Sequence, residues 1–305
     1  MADAKMPRVA KVAIVTGASS GMGKGCALNL ANADGYTVYA TARTASDLEA
    51  LAKEVTGSGK IVPCVLDQSK DEDVKAFVQR VEAEQGKVDV LVNSAFAGLG
   101  AIKPYFGKPF WEKPIEVYDA SLNIGTRSAY VMSTYVAPMM VKANAGLMVQ
   151  ISSGGGMGYL FDVGYGVGKA ALDRLSADMA VELKPHGVYS LTLWPGGATT
   201  EKAAFPGGET PVFVGRALSA LAKAPAEDLA KFNGKMVLTS ELATKYGFVD
   251  ADGKLPVGMF SGVEWATGVR KALDDGPVLQ YNLKGELPDW SASNCEPAAG
   301  FLPGY

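Results

Sequence analysis

A chain of 305 residues with 48% apolar and 20% charged side chains is long enough to bury a full core and lacks the charge-rich, apolar-poor signature of disorder. With 29 basic against 32 acidic residues, a net charge of −3 and no dense basic stripe, it is a poor match for nucleic acid. A single histidine, His186, excludes a zinc site needing two or three imidazoles, so no metal is expected, and Cys26, Cys64 and Cys295 lie far apart without a CxxC pair.

The opening residues 1–5 lack the apolar centre of a signal peptide, which together with the cysteine usage points to a reducing, cytoplasmic setting. Apolar runs at 12–15, 38–40, 61–66, 90–92, 147–151 and 188–194 then read as strands, several apolar throughout, as strands covered on both faces must be. Between them lie helical stripes such as Val74, Phe77, Val78 and Val81, or Leu172, Leu175, Met179 and Leu183. The alternation predicts a single doubly wound α/β domain with a parallel sheet and helices on both faces. Pro63 cannot donate a ladder hydrogen bond, so its strand is expected at an edge.

The uncharged stretch 143–161 has the length of a bilayer span, but Asn144, Gln150, Ser152, Ser153 and five glycines make it a strand plus loop, and no membrane span is expected. His186 sits in the turn 184–187. Beyond residue 200 the pattern loosens to a helix at 211–224 and a last short strand at 236–239. The stretch 255–305 carries Phe260, Trp265, Tyr281, Trp290, Phe301 and Tyr305, too many large apolar side chains for a solvated end. It is expected to pack on the body or at a subunit interface, as a substrate lid or a subunit contact, with an unstructured end as the alternative.

Directly after the first strand comes Thr16-Gly17-Ala18-Ser19-Ser20-Gly21-Met22-Gly23-Lys24. Gly17 permits a tight turn, Gly21 lets the backbone approach a pyrophosphate, Gly23 allows close helix packing, and the helix N-terminus favours the anion. An NAD site places a carboxylate after the second strand, but here the chain reads Tyr39-Ala40-Thr41-Ala42-Arg43. Arg43 offers a planar cation to a ribose 2′-phosphate instead, so NADP(H) is expected over NAD.

Tyr165-Gly166-Val167-Gly168-Lys169 puts a phenol and an ammonium four residues apart, on one face of a helix. A nearby cation favours the tyrosinate and lets a group of ordinary pKa about 10 exchange protons nearer neutrality. Upstream, Ser152 and Ser153 end a strand with hydroxyls able to polarise a carbonyl, and Asn123 lies in a helical segment.

This ordered set resembles the short-chain dehydrogenase/reductase family over about two thirds of the chain, from Thr16 to Thr200. The resemblance implies a Rossmann-type domain over 1–254 with 255–305 as an extension. It also implies Tyr165 as general acid/base, Lys169 as support for the tyrosine and the nicotinamide ribose, Asn123 as holder of a relay water, and Ser153 as stabiliser of the substrate oxygen. The family's usual spacing selects Ser152, whereas alignment on the strand end selects Ser153, which is favoured. Gly17, Ser19, Ser20, Gly21, Met22, Gly23 and Arg43 would line the nucleotide, Asp67 the adenine, Asn93 the segment that follows, and Pro195, Gly196 and Thr200 the carboxamide. The segment Asn93-Ser94-Ala95-Phe96 departs from the family's Asn-Asn-Ala-Gly at two positions. Finer likeness at 161–169, 193–196, 234–238 and 242–247 is similar to the dehydrogenase/reductase member 1 branch, whose members reduce carbonyl compounds, including steroids.

The expected function is therefore an NADP-dependent carbonyl reductase or alcohol dehydrogenase acting on a small molecule, as a homodimer or homotetramer. An epimerase or dehydratase on the same fold, and a non-enzymatic nucleotide-binding scaffold, are the alternatives.

Overall fold

The structure, a computed structural model, describes residues 11–201, 205–258 and 260–275. In chain order it runs β1 (Val12–Thr16), α1 (Gly21–Asp34), β2 (Thr37–Ala42), α2 (Ala45–Lys53), β3 (Lys60–Val65), α3 (Asp71–Gln85) and β4 (Val90–Asn93). It continues with α4 (Gly98–Ile102), α5 (Ile115–Ser121), α6 (Ser128–Ala143), β5 (Gly146–Ile151), α7 (Val163–Leu183) and β6 (Val188–Trp194). The last elements are α8 (Pro211–Lys223), α9 (Ala226–Phe232), β7 (Met236–Leu238), α10 (Thr239–Tyr246) and α11 (Gly262–Asp275).

The seven strands form one parallel sheet in the order β3-β2-β1-β4-β5-β6-β7. Parallel neighbours need crossover helices, and the reversal of direction between β1 and β4 leaves a crevice at the carboxyl ends of those strands. Pro63 sits in β3, an edge strand as its missing N–H requires. Alternate residues of β1 feed opposite layers. Ala13 and Val15 pack with Leu30, Val214 and Leu218 of α1 and α8, while Val12 and Ile14 pack with Val78, Val81, Met132 and Val136 of α3 and α6.

Two close approaches fix α1 against α8. A Cβ on Gly25 would overlap the Pro211 carbonyl, and one on Gly215 would overlap the Gly25 carbonyl, so the two helices cross backbone to backbone. The helix α7 departs from its sequence stripe: Leu172 and Leu183 are buried, but Leu175 and Met179 are only partly so. Its buried face is built from Tyr165, Gly168, Lys169, Asp173, Ser176, Ala177 and Ala180, small or polar residues that let it lie close on the sheet and present chemistry there.

In the C-terminal stretch, Ala266, Val269 and Leu273 of α11 pack on Trp194 and Leu238. Arg270 ties the helix down by donating to the Glu241 carboxylate at 2.7 Å and to the Met236 carbonyl at 2.7 Å. Tyr281, Trp290, Phe301, Tyr305 and Cys295 lie outside the described residues. Among the described residues no helix is long and apolar enough to cross a membrane.

Candidate active site

The crevice at the carboxyl ends of β1 and β4 opens into a cleft of about 460 Å³. At one end, β1 runs into a turn at Gly17, whose φ of +63° and whose absent Cβ, which would lie 2.8 Å from Ala95 Cα, both require glycine. Thr16 Oγ1 accepts from the N–H groups of Ser94 and Ala95 at 3.0 Å each, locking this turn to the end of β4. Ser19, Ser20, Gly21 and Met22 line the cleft, while Gly23 is buried beneath, against the Gly17 carbonyl. The first N–H of α1, on Gly21, donates to the Glu201 carboxylate at 3.0 Å, so an anion already sits where the helix dipole favours one.

Arg43 follows β2, exposed on the rim of the cleft. Across from it lies Asp67, after β3. Hydrogen bonds from the Ser69 N–H and hydroxyl hold its carboxyl below the usual range, helped by the charges of Lys70 and Arg43. Asn93, expected at the cofactor, does not reach the cleft. Its amide donates to Gln150 Oε1 at 2.8 Å and Ser133 Oγ at 3.1 Å, which makes it a buried brace between β4, β5 and α6. The lining there comes from Ser94, Ala95, Phe96 and Ala97.

At the other end, α7 is capped by Asp162, whose carboxylate accepts from the N–H of Gly164 at 2.7 Å and of Tyr165 at 3.2 Å. One turn in, the Tyr165 hydroxyl lies 2.8 Å from Ser153 Oγ. The neighbouring Ser152 is buried and its hydroxyl donates to the Lys169 carbonyl, so of the two serines Ser153 is the one that meets the tyrosine. Lys169 Nζ donates to the Ile151 carbonyl at 2.9 Å and stands 4.7 Å from the centre of the Phe96 ring.

Burial decides the protonation states here. It pushes the Tyr165 phenol up to about 12, with the Ser153 hydrogen bond opposing, and pulls the Lys169 ammonium down to about 8, with Asp173 opposing. The sequence suggests a tyrosine brought toward neutrality by its lysine; in the structure burial dominates instead, and the Asp173 charge adds to it.

Asn123 is not part of this group. Between α5 and α6 the chain makes a π-helical turn over Leu122–Arg127, whose wider winding turns Ile124 toward the cleft and leaves Asn123 exposed in an outer groove with Arg127 and Tyr130. Thr126 fastens the turn to α7 by donating to the Gly168 carbonyl at 2.9 Å.

After β6, Pro195, Gly196 and Thr200 all line the cleft. Gly196 has no room for a side chain between the Phe260 carbonyl and Glu209 Oε1. Glu209 is fully buried below it, 2.7 Å from the Thr239 hydroxyl through both oxygens, and burial pushes its carboxyl up to about 8.

Of the aromatic wall, sequence reasoning anticipated Phe260 in a stretch expected to pack on the body, and missed that Phe96, Phe161 and Phe205 join it. Phe161 meets Tyr165 edge-on at 5.0 Å, Phe96 does so at 5.6 Å, and Phe205 links Phe161 at 6.4 Å to Phe260 at 6.5 Å. Phe161 and Phe260 both adopt left-handed backbone, with φ of +63° and +61°, which costs about 1 kcal/mol or more for a residue with a Cβ. These rings come from separate loops, so no local pattern announces them. Among the described residues, the charged side chains that line the cleft are Arg43, Asp67 and Lys169, so the described lining of the tyrosine end is apolar apart from its hydroxyls and that ammonium.

Residues 11–205 match the family model for short chain dehydrogenase. Dehydrogenase/reductase SDR family member 1 of Mus musculus is 42% identical over 270 residues, covering 81% of this chain and 85% of its own length. The protein of that name from Homo sapiens is 41% identical over 270 residues. Among solved structures, a metagenomic short-chain oxidoreductase in complex with NADP aligns with a TM-score of 0.64 and 28% identity, over 75% of this chain and 96% of that one.

Proposed function

The chain belongs to the short-chain dehydrogenase family, and from that premise we propose that this oxidoreductase interconverts a carbonyl and a secondary alcohol with NADP(H). The observation that carries the reading is the Tyr165 hydroxyl, 2.8 Å from Ser153 Oγ at the floor of the cleft, with Lys169 one turn along the same helix.

The cradle suits a dinucleotide on its own chemistry. Gly17 makes the turn where a Cβ would collide with Ala95, Gly23 lets α1 pack under that turn, and the N–H of Gly21 already holds a carboxylate. Gly17, Ser19, Ser20, Gly21 and Met22 would hold the pyrophosphate half, with Gly23 packed beneath them, Asp67 the adenine side, and Pro195, Gly196 and Thr200 the nicotinamide side. Arg43 lies on the rim and no acid follows β2, which supports a 2′-phosphate over a free ribose hydroxyl, in keeping with the NADP of the metagenomic relative. When bound, the cofactor supplies or accepts the hydride.

The residues of the chain do the rest. Tyr165 gives its proton to the carbonyl oxygen in reduction and takes one from the alcohol in oxidation, and Ser153 holds both that oxygen and the phenol. Burial keeps Tyr165 protonated at neutral pH, the form that reduction needs. The Lys169 ammonium lowers the cost of the tyrosinate left behind. The aromatic wall excludes water and favours an uncharged substrate.

In the same reading, 1–254 is the dinucleotide-binding domain and 255–305 an extension that helps to close the cleft, supported by Phe260 and Trp265 in its lining. A cytoplasmic enzyme is supported by the free, buried thiols of Cys26 and Cys64. Assembly as a homodimer or homotetramer is supported by the exposed Tyr130 beside the outer groove of α6 and α7.

A panel of ketones, aldehydes and secondary alcohols, followed by nicotinamide absorbance with NADPH and NADH in parallel, tests the reading. NADPH-linked reduction is expected. NADPH binding without turnover across the panel would favour the scaffold alternative, and absence of binding would overturn the cofactor assignment as well.

A further inference from the structure

A third ionisable side chain of α7 has no part in the proton transfer just described. Asp173 lies one turn beyond Lys169 and two beyond Tyr165 on the same buried face, and is 3% exposed. One carboxylate oxygen, Oδ1, accepts from Trp194 Nε1 at 2.9 Å. The other, Oδ2, is buried with no hydrogen bond of ordinary length among the described residues, though the Ser152 and Thr192 hydroxyls act on the carboxyl, and faces Gly156, where a Cβ would come within 2.6 Å of it. The groups around it are the hydroxyls of Ser152 after β5 and Thr192 in β6, the Trp194 indole in β6, and Lys169 and Tyr165 on its own helix. Among the described residues, Lys169 is the one cation that acts on it.

Among the described residues, Lys169 for its part touches no full counter-charge. Its direct partners are the Ile151 carbonyl, the face of the Phe96 ring and, at 5.7 Å, that of Tyr165, all neutral. A buried ammonium held only by such groups tends to shed its proton. We propose that Asp173 is a positioning residue of this active site: anchored by Trp194, its carboxylate is the buried counter-charge that keeps Lys169 protonated while Lys169 acts on Tyr165. The inference rests on the reading of Tyr165 and Lys169 given above.

The coupling is mutual. Asp173 is what opposes the pull of burial on Lys169, whose ammonium is lowered to about 8. The charge of Lys169 in turn is one of the influences, with Trp194, Ser152 and Thr192, that hold the Asp173 carboxyl down against burial, at about 7. Removing either charge should neutralise the other.

Asp173→Asn keeps an acceptor for Trp194 and nearly the same volume while removing the charge. In the protein without cofactor, Trp194 emission should show a step near pH 7, taken as the difference from Trp194→Phe, and the step should vanish in Asp173→Asn. In Lys169→Met it should move up by about one pH unit or more. In turnover, the alkaline limb of the pH profile for carbonyl reduction should move to lower pH by about one unit in Asp173→Asn, with KM for NADPH changed by less than about twofold.

A Trp194 step that ignores Lys169→Met overturns the proposal, as does an alkaline limb that stays in place while Asp173→Asn merely loses stability. Should Asp173→Asn not fold, the response of the wild-type step to Lys169→Met still decides. Should no carbonyl be turned over, the emission arm judges the Asp173–Lys169 coupling separately from the reading it rests on.

Discussion

Lys113 and Asp162 form an ion pair of 2.6 Å with 4% and 3% of their side chains exposed, and the same carboxylate caps the helix that carries Tyr165. The segment between α4 and α5 is thereby fastened to the floor of the active site. Lys113→Met leaves Asp162 buried with its charge uncompensated, and unfolding by denaturant should show a loss of about 3–5 kcal/mol. Adding Asp162→Asn, which still caps α7, should recover part of it. A loss below about 1 kcal/mol would mean that water replaces the lysine readily.

Tyr165→Phe removes the hydroxyl held by Ser153 and nothing from the nucleotide cradle. Turnover should fall by roughly 10²–10⁴-fold while NADPH affinity, measured by fluorescence titration, stays nearly constant. Near wild-type turnover would contradict the assigned chemistry.

Arg43→Ala takes away a charge-assisted hydrogen bond of about 1.5–3 kcal/mol to a 2′-phosphate, so kcat/KM with NADPH should drop by roughly 10–150-fold relative to NADH. Ala42→Asp, which adds a repelling charge, should move the ratio the same way. An unchanged ratio would direct attention to Lys24 as the phosphate partner.

Glu201 occupies the N–H of Gly21 that a pyrophosphate would need. Glu201→Gln removes a competing negative charge, and NADPH should bind roughly two- to fivefold tighter by calorimetry. Weaker binding would show that the carboxylate helps the cofactor in.

Glu209 makes stability depend on pH. Its folded pKa, about 8, lies above the ordinary 4.5, so the folded protein holds a proton that the unfolded chain releases. The contribution is complete below about pH 4.5 and is lost as pH rises to about 8. Asp173, raised to about 7, acts with the same sign. The melting temperature of Glu209→Gln should therefore fall less steeply across this window than that of the wild type, and identical slopes would remove Glu209 as a cause.

What the sequence made legible was local in origin. The glycines at 17, 21 and 23 announce a turn because their conformations and close approaches are backbone properties, and Tyr165 with Lys169 announces a helix face because 3.6-residue periodicity puts them together. Pro63 fixed its strand to an edge for an equally local reason. Asn123 and Asn93 failed because their directions depend on neighbours: a π-helical turn rotates the first outward, and Gln150 with Ser133 claims the amide of the second. The Tyr165 environment was hidden for a similar cause, since Phe96 and Phe161 reach it from loops distant in the chain. Ser153 was separable from Ser152 only by anchoring on the end of β5.

The backbone crossing of Gly25 with Gly215 bears on how the protein is made. The helix behind the glycine turn comes off the ribosome early, but the partner that clamps it, α8, is synthesised only after six of the seven strands. Glycine gives α1 no side chain at that face with which to hold its position alone. Nascent chains halted before Pro211 thus carry a cradle that lacks its backing, and residues 21–34 in them should remain open to protease until the later helix arrives.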